Sequence, residues 1–411
     1  MSSRAGGVLC LMPKDARRST GPVSLWLTAA GWAEAAADVR GASWVQTPSG
    51  ILSAAEARSI ATSAPQPTLG RRGWRRHIPT VVSTLVKDAR SWEHARRFRD
   101  AGAVGPWEEF GLSWVWHHHE LFHDSGFHAG AKFGCPVVVF VDAPVVWEGR
   151  KWGVKRPGWG RLVEAIGERP QLRRADLVAC VTDEVAEAAV AIGARADDVI
   201  VTPCAVDTAR FHPGVSGEAV RQAHGLDGKT TIGWIGTFHK FHGLDLLVEA
   251  YAALEKERDD VCLVLVGDGQ DRPRVEQLLS ELGVRNVVLT GVVPQDAVPA
   301  HLAAFDVATV VDPGFGTFHY SPLKLKEYLA CGRAVVAPSS GQIGELVETH
   351  DVALLVPPGD SAALTAALID LVDSPTDRED LGRRGAALIA ESGTWRHQVV
   401  AAETALEKRG A

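Results

Sequence analysis

A lysine and a glutamate lie three residues apart in the stretch Asp312–Glu348, DPGFGTFHYSPLKLKEYLACGRAVVAPSSGQIGELVE. Ser321 and Pro322 are typical of a helix start, and the first turn of a helix has unbonded N–H groups and a partial positive charge. Lys324 adds a full cation there, which favours a phosphate. Glu327 lies one turn deeper on the same face, where its carboxylate could accept hydrogen bonds from sugar hydroxyls. The stretch therefore predicts a ligand that carries both phosphate and sugar.

A second candidate site is the histidine-rich segment HHHELFHDSGFH, which follows the strand-like run from Leu112 to Trp116. Its His119, Glu120 and His123 spell H-E-x-x-H, the spacing that puts two zinc ligands on one helix face beside a glutamate base. A short helix, the lack of a clear third ligand and the surrounding parallel α/β pattern argue against a zinc hydrolase. The segment is otherwise a polar helix start in a binding position or a partly exposed helix edge.

A carboxylate directly follows a continuous apolar run near the middle of the first predicted domain. The run PVVVFV, Pro136 to Val141, shows no alternation and is typical of a strand covered on both faces. Asp142 comes next, and it either caps the following segment or reaches into a ligand cleft. The next segment is predicted as a Trp- and Gly-rich loop that holds Glu148.

A polar loop that holds Thr20 and Gly21 follows the first apolar run, Val8 to Met12, and precedes a helix predicted from Pro22 to about Asp38. Doubly wound folds place ligands at such a loop, at the carboxyl end of a first parallel strand. A plain connecting turn fits the same residues equally well.

The bulk composition is that of a soluble globular protein, with 46% apolar and 23% charged residues in 411. The net charge of -7 gives no basic field for nucleic acid. The six cysteines form no C-x-x-C pair and are predicted as buried thiols of a reducing compartment. No apolar run approaches the ~20 residues of a membrane span, and VLCLM is too short for a signal-peptide core, so we expect a cytoplasmic protein.

One local basic cluster stands out, in the segment Arg71–Arg76. It could contact an acidic partner or, weakly and peripherally, an anionic membrane surface. A solvated loop is the alternative.

Strands and helices alternate through the chain and predict an α/β fold of two doubly wound, Rossmann-like domains that face each other across a cleft. We predict an amino-terminal domain over 1–205 and a carboxyl-terminal domain over 206–392, joined at the irregular CAVDTARFHPGVSG. The helix within 393–411 would pack back on the first domain. The predicted strands are Val8–Met12, Ser43–Gln46, Leu112–Trp116, Pro136–Val141, Leu177–Val181, Val199–Thr202, Thr231–Gly236, Val261–Gly267, Asn286–Gly291, Asp306–Val311, Ala334–Ala337 and Val352–Val356.

Several segments, in this order and spacing, resemble the retaining glycosyltransferases of family GT4, which have the GT-B fold of two Rossmann-like domains. They are VTPCAVDTARFHP, IGTFHKFHGLDLLVEA, VLVGDG and SPLKLKEYLACGRAVVAP, followed by GQIGELVE and LLVPPGD. ELFHDSG and FVDAPVVWEG resemble one GT4 branch, as does the pairing of SPLKLxEY with GQI. The resemblance runs from about Trp114 to the end and is strongest in the second domain.

The resemblance implies a nucleotide diphosphate sugar, of UDP or GDP type, bound mainly by the second domain, and transfer with retention to an acceptor hydroxyl. The amides from Ser321 to Leu323 and the ammonium of Lys324 would hold the pyrophosphate, and Glu327 would bind the ribose hydroxyls as the second carboxylate of an E-x7-E motif. Asp142 occupies the place where relatives carry His or Asn near the reacting sugar carbon.

The predicted site residues, from the residue patterns and from the resemblance together, form three groups. The catalytic residues are Asp142, Lys324 and Glu327. The donor-binding residues are Gly236, Thr237, Lys240, His242, Gly267, Asp268, Gly269, Val293, His319, Tyr320, Ser321, Pro322 and Leu323. The acceptor-binding residues are Thr20, Gly21, His118, His119, Asp124 and Glu148.

The sequence departs from the family at three positions. Thr237 and His242 stand where many relatives have Arg and Lys, and His319 stands at the first carboxylate of E-x7-E. We therefore expect Lys324, Lys240, a protonated His242 and helix dipoles to balance the phosphate charge. A nucleotide-sugar-binding protein without transferase activity is the alternative function.

The chain has no dense Asp/Glu cluster for a divalent cation, so we expect transfer without a metal or other cofactor. The acceptor could be a small molecule, a glycan or a lipid-linked molecule. The tryptophans of the first domain suggest an apolar or ring-bearing acceptor, or else they belong to the core. They are Trp107, Trp114, Trp116, Trp147 and Trp152.

Overall fold

Continuous apolar segments form two separate sheets in the computed structural model, which describes residues 6–14, 23–63, 80–316 and 323–410. The chain divides into a first unit, Met1–Cys204 with Trp395–Ala411, and a second unit, Ala205–Thr394. Each unit combines its sheet with helices, so the predicted class of two Rossmann-like α/β domains is confirmed.

The first unit has a seven-stranded sheet in the order β3-β2-β1-β4-β5-β6-β7. Neighbouring strands are parallel except β2 and β3. The order reverses between β1 and β4, and a doubly wound sheet has its ligand crevice at such a reversal. The strands are β1 Gly7–Leu11, β2 Ser43–Thr47, β3 Gly50–Ser53, β4 Leu112–His118, β5 Val137–Val141, β6 Leu177–Cys180 and β7 Val199–Val201.

The second unit has a six-stranded, all-parallel sheet in the order β10-β9-β8-β11-β12-β13. Its order reverses between β8 and β11. Side chains of each strand alternate between two buried clusters, so helices cover both faces. The strands are β8 Thr230–Ile235, β9 Val261–Val266, β10 Val287–Gly291, β11 Val307–Thr309, β12 Ala334–Pro338 and β13 Leu354–Val356.

The helices connect these strands in chain order. In the first unit they are α1 Val23–Arg40, α2 Ala54–Ser63, α3 Thr80–Phe98, α4 Trp107–Phe110, α5 Ser125–Phe133, α6 Val145–Lys151, α7 Gly160–Val163, α8 Arg169–Arg174 and α9 Asp183–Ile192. A π-helical turn, Glu164–Glu168, joins α7 to α8. The remaining helices are α10 Glu218–His224, α11 Leu244–Glu257, α12 Arg272–Glu281, α13 Val298–Ala303, α14 Leu323–Ala330, α15 Gly341–His350, α16 Ser361–Asp373, α17 Pro375–Ser392 and α18 Trp395–Lys408.

Aromatic side chains fill the core of the first unit. Trp32 of α1 contacts Trp114, Trp116 and Phe140, with ring centroids 6.3, 6.1 and 6.0 Å away. Trp107 is also fully buried. Three of the five tryptophans that suggested an apolar acceptor therefore belong to the core, and their presence carries no information about the acceptor.

The structure differs from the sequence predictions at two elements, one that was not predicted and one that was predicted wrongly. The short strand β3 was missed, because an edge strand of four residues has no continuous apolar run. Glu148 lies on helix α6 and not in a loop, since the two glycines that suggested a loop fall one inside the helix and one after it. The other described strands agree with the predicted ones to within about two residues.

Glu255 of α11 fixes the turn that leads into β10. Its buried carboxylate accepts hydrogen bonds from the backbone N–H groups of Arg285 (3.0 Å) and Asn286 (2.6 Å). Glu255→Ala leaves these donors without their partner, so we expect the free energy of unfolding to fall by about 1–3 kcal/mol. Urea denaturation measures the change. Glu257→Ala, at an exposed position of the same helix, is the control and should change it by less than about 0.5 kcal/mol. If the two substitutions lowered the unfolding free energy equally, the role of Glu255 in holding the turn would be contradicted.

Candidate functional site

In the second unit, the loops that follow β8 and β9 form a surface of backbone atoms around Gly236, Gly267 and Gly269, which we call the glycine surface. Gly236 follows β8 and Gly267 follows β9, both with positive φ (154° and 127°). A Cβ atom on Gly267 would collide with the carbonyl oxygen of Gly236, and one on Gly269 with that of Phe238. The two loops are also joined by a hydrogen bond from the Phe238 N–H to the Asp268 carbonyl oxygen (3.0 Å). Glycine is required because the loops touch through their backbones.

Helix α14 is attached to the end of β8 through Tyr328. The hydroxyl of this buried side chain accepts a hydrogen bond from the Ile235 N–H (2.9 Å), one residue before Gly236. The attachment sets the position of Lys324 and Glu327, which precede Tyr328 on the same helix.

The ammonium of Lys324 lies at Gly236. Its Nζ is 4.2 Å from the ring centroid of Trp234, a cation–π distance, and a Cβ on Gly236 would be 3.0 Å from it. Among the described residues, no carboxylate lies within ion-pair distance of Lys324. The cation is therefore available to an anionic ligand at the glycine surface.

Lys324 and Glu327 of α14 both have shifted pKa values. Withdrawal from water lowers the pKa of Lys324 to about 7, and the Glu327 carboxylate opposes this shift. Burial likewise raises the pKa of Glu327 to about 7, against the opposing effects of Arg210 and Lys324. A bound anion would favour the protonated lysine.

His242 is neutral at physiological pH. Burial, Lys324 and His239 lower its pKa to about 2, and its ring packs against Trp234 with centroids 5.8 Å apart. The prediction of a protonated His242 is therefore wrong for the ligand-free protein, because burial and then the neighbouring Lys324 disfavour the charged ring. Lys240 and Thr237 are exposed near the same loop.

A buried carboxylate that sequence reasoning did not select, Asp312, shapes the loop after β11. It accepts hydrogen bonds from the Gly314 N–H (2.8 Å) and the Ser340 hydroxyl (2.9 Å). Its carbonyl oxygen accepts the Gly359 N–H (2.9 Å). The sequence signal for Asp312 was its position directly after the apolar run that ends at Val311.

The remaining donor-site predictions are placed as follows. Leu323 is the first residue of α14. The Asp268 side chain accepts a hydrogen bond from the Gly269 N–H of its own loop (2.7 Å). Val293 is half-buried in the loop after β10. The predicted site residues His319, Tyr320, Ser321 and Pro322 lie outside the described residues, as do Thr20, Gly21 and the cluster Arg71–Arg76.

The strand reversal of the first unit carries a second polar cluster. Lys14, just after β1, forms an ion pair with Glu120, just after β4. The buried ring of His118 lies between two carboxylates, with Nδ1 3.8 Å from Glu120 and Nε2 3.8 Å from Asp142. Sequence reasoning missed Lys14, whose signal was its place at the end of the first strand.

The carboxylate of Asp142 titrates close to neutral pH. Burial raises its pKa to about 6, Lys14 opposes the rise and Glu148 adds to it. Burial lowers the pKa of His118 to about 4, so this ring is neutral. The cluster thus combines one cation, a neutral imidazole and carboxylates at the carboxyl ends of β1, β4 and β5.

The H-E-x-x-H segment does not form a helix. Residues 119–124 are irregular and α5 begins at Ser125, so the expected helix over this segment is wrong. The helix that a zinc hydrolase would need is therefore absent from these residues, in agreement with the argument against that function. His123 packs against His94 with ring centroids 5.5 Å apart, and Asp124 pairs with His128 (3.1 Å). Within 6–14, 23–63, 80–316 and 323–410, no three His, Cys, Asp or Glu side chains are grouped as a metal site.

The described helices include none that is long and apolar enough to cross a membrane. The prediction of buried thiols is confirmed for five of the six cysteines, whereas Cys204 is half-buried.

Comparison with known protein families gives two matches. Residues 56–210 match the model described as Glycosyltransferase Family 4, and residues 229–374 match the model described as Glycosyl transferases group 1. The matches follow one another along the chain and cover most of both units.

Two curated relatives show what the chain is similar to. It is 30% identical over 205 residues to the GDP-mannose-dependent alpha-(1-6)-phosphatidylinositol monomannoside mannosyltransferase of Mycolicibacterium smegmatis, covering 47% of this chain and 52% of that protein. It is 30% identical over 285 residues to the MMP alpha-(1->4)-mannosyltransferase of Mycolicibacterium hassiacum, covering 67% and 65%. The chain thus spans about half to two thirds of the length of these relatives.

Solved structures agree on the fold. HepE of Anabaena, crystallised with UDP and glucose, superposes with a TM-score of 0.64 at 18% identity over 97% of this chain and 99% of that one. With the two parallel-sheet units, this match gives the chain the GT-B fold.

Gly267→Ala tests the backbone contact on which the glycine surface depends. A methyl group there has to displace the Gly236 loop as well as adopt positive φ, so we expect a loss of more than about 2 kcal/mol of unfolding free energy. Gly283→Ala, with positive φ but open space around it, is the control and should cost about 1 kcal/mol. Calorimetry of both variants measures the difference. If both variants lost the same unfolding free energy, the close contact between Gly267 and the Gly236 carbonyl oxygen would be contradicted.

Proposed function

We propose that the chain is a glycosyltransferase that moves a sugar from a nucleotide diphosphate sugar to an acceptor hydroxyl. The observation that carries the proposal is the Lys324 ammonium, held at the bare backbone of Gly236 without an ion-pair partner among the described residues. The two family matches support it, because both are to glycosyltransferases.

The second unit would bind the donor. Lys324 and the start of α14 would neutralise the diphosphate as the bond between the sugar carbon and the phosphate oxygen breaks. Gly236 lets the phosphate approach the backbone, and Glu327 would accept hydrogen bonds from the ribose. Since His242 is neutral, the exposed Lys240 would supply a further positive charge at this loop.

The nucleotide would be of UDP or GDP type. HepE was crystallised with UDP and glucose, and the mycobacterial relative is named as GDP-mannose-dependent. We further propose that transfer proceeds with retention and without a metal ion, the leaving group being stabilised by the lysine and by helix N–H groups instead.

The first unit would bind the acceptor. Asp142, with a pKa near 6, is mostly ionised at neutral pH and can accept a hydrogen bond from an acceptor hydroxyl. His118 and the ion pair of Lys14 with Glu120 would orient it.

A nucleotide-sugar-binding protein without transferase activity is the second candidate. The observation in its favour is the exposed Thr237 and the neutral His242, which replace the two cations that the family pattern leads one to expect. Calorimetric donor binding without transfer or hydrolysis over a broad acceptor panel would establish it.

Lys324→Ala and Glu327→Ala should each lower donor turnover by about a hundredfold or more, because each removes a contact to the leaving nucleotide. Hydrolysis or transfer of UDP- and GDP-sugars measures the change, after a thermal-shift screen has selected the donor. Lys256→Ala, an exposed lysine of α11, is the control and should keep full turnover. Near-normal turnover in both site variants would contradict the proposed function.

A further inference from the structure

Helix α3 of the first unit presents an apolar stripe to solvent. Val82, Leu85, Val86 and Trp92 are 48%, 49%, 43% and 51% exposed. At 3.6 residues per turn these positions and Ala89 fall on one face of the helix. The exposed Glu93 and Arg96 lie on the same face, in its carboxyl-terminal half. A stripe of this length on a helix differs from the scattered apolar residues of ordinary surfaces.

The opposite face fixes the helix to its unit. Thr84, Asp88, Ala95 and Phe98 are buried there. The Asp88 carboxylate accepts hydrogen bonds from Arg156 Nε (3.0 Å) and from the Trp159 indole (3.0 Å). Because this buried ion pair would break if the helix rotated, the apolar stripe is held outward.

Cations border the stripe. Arg90 and Arg97 are exposed along one edge, and the exposed Lys87 lies farther round the helix on the same side. The Arg96 guanidinium lies 5.0 Å from the Trp92 ring centroid. Glu93 pairs with Arg97 (2.5 Å), and the other carboxylate of the helix, Asp88, is buried. The face is therefore locally basic on a chain whose net charge is -7.

We propose that α3 docks on an anionic lipid surface, with its apolar stripe at the level of the lipid headgroups and its lysine and arginines on the phosphates. A helix that lies in a membrane interface combines an apolar face that includes tryptophan with a cationic edge. Anionic lipid complements this edge, whereas neutral lipid does not. The proposal rests on α3 alone and needs no contribution from Arg71–Arg76. It is also independent of the proposed donor chemistry.

Co-sedimentation with vesicles tests the proposal on the full chain. We expect binding to vesicles of phosphatidylcholine with about one third phosphatidylglycerol, and binding at least tenfold weaker to phosphatidylcholine alone. Lys87→Gln/Arg90→Gln/Arg97→Gln should weaken binding about a hundredfold, as should a rise from about 0.1 M to about 1 M salt. Leu85→Ser/Trp92→Ser should weaken it about tenfold or more.

Matched variants control for surface changes in general. Val190→Ser/Val400→Ser removes two apolar side chains of the same unit, which are 37% and 42% exposed, and should leave binding unchanged. Lys256→Gln/Arg383→Gln/Lys408→Gln removes three exposed cations from other helices and should also bind as wild type. Circular dichroism confirms that each variant is folded.

Three results would overturn the proposal. The first is no vesicle binding by the wild type, and the second is equal binding to neutral and anionic vesicles. The third is self-association without lipid, seen by sedimentation equilibrium and abolished by Leu85→Ser/Trp92→Ser, because a second copy of the chain would then cover the stripe.

Discussion

A lysine ammonium held against an indole at the end of a strand is the interaction on which the candidate site depends. Lys324 lies over Trp234, beside the backbone of Gly236, and partial withdrawal from water lowers its pKa to about 7. A cation in this state gains more from an anionic ligand than a solvated, ion-paired lysine does. The glycine contacts between the β8 and β9 loops keep side chains away from it, and Tyr328 fixes the helix that carries it.

The two units use the same topological position differently. In the first unit, the cation at the strand reversal, Lys14, is paired with Glu120, and the neighbouring Asp142 and His118 can exchange hydrogen bonds with hydroxyl groups. In the second unit, Lys324 has no such partner among the described residues. This difference agrees with a division of roles in which one unit binds a neutral, hydroxyl-bearing molecule and the other binds a diphosphate.

The sequence was informative wherever one local pattern determined the structure. Continuous apolar runs predicted the strands, and the spacing of Lys324 and Glu327 correctly placed both on one helix. The failures depended on contacts far apart in the chain. Lys14 meets Glu120 across more than a hundred residues, and the neutral state of His242 follows from its burial beside Lys324. The helix expected at the H-E-x-x-H segment is absent because the chain there is irregular, and the spacing of the motif has meaning only on a helix.

The affinity for a nucleotide sugar as a function of pH tests the role of Lys324 most directly. UDP-glucose or GDP-mannose, whichever raises the melting temperature, would be titrated by calorimetry between about pH 6 and about pH 8.5, a range in which a group with a pKa near 7 changes its charge. The lysine binds the diphosphate when protonated, so affinity should fall by up to about tenfold per pH unit above 7. Lys324→Arg stays charged and should remove the part of this fall that comes from the lysine, leaving the smaller part from Glu327, whose pKa is also about 7. A pH-independent wild-type affinity, or an identical fall in Lys324→Arg, would contradict the account.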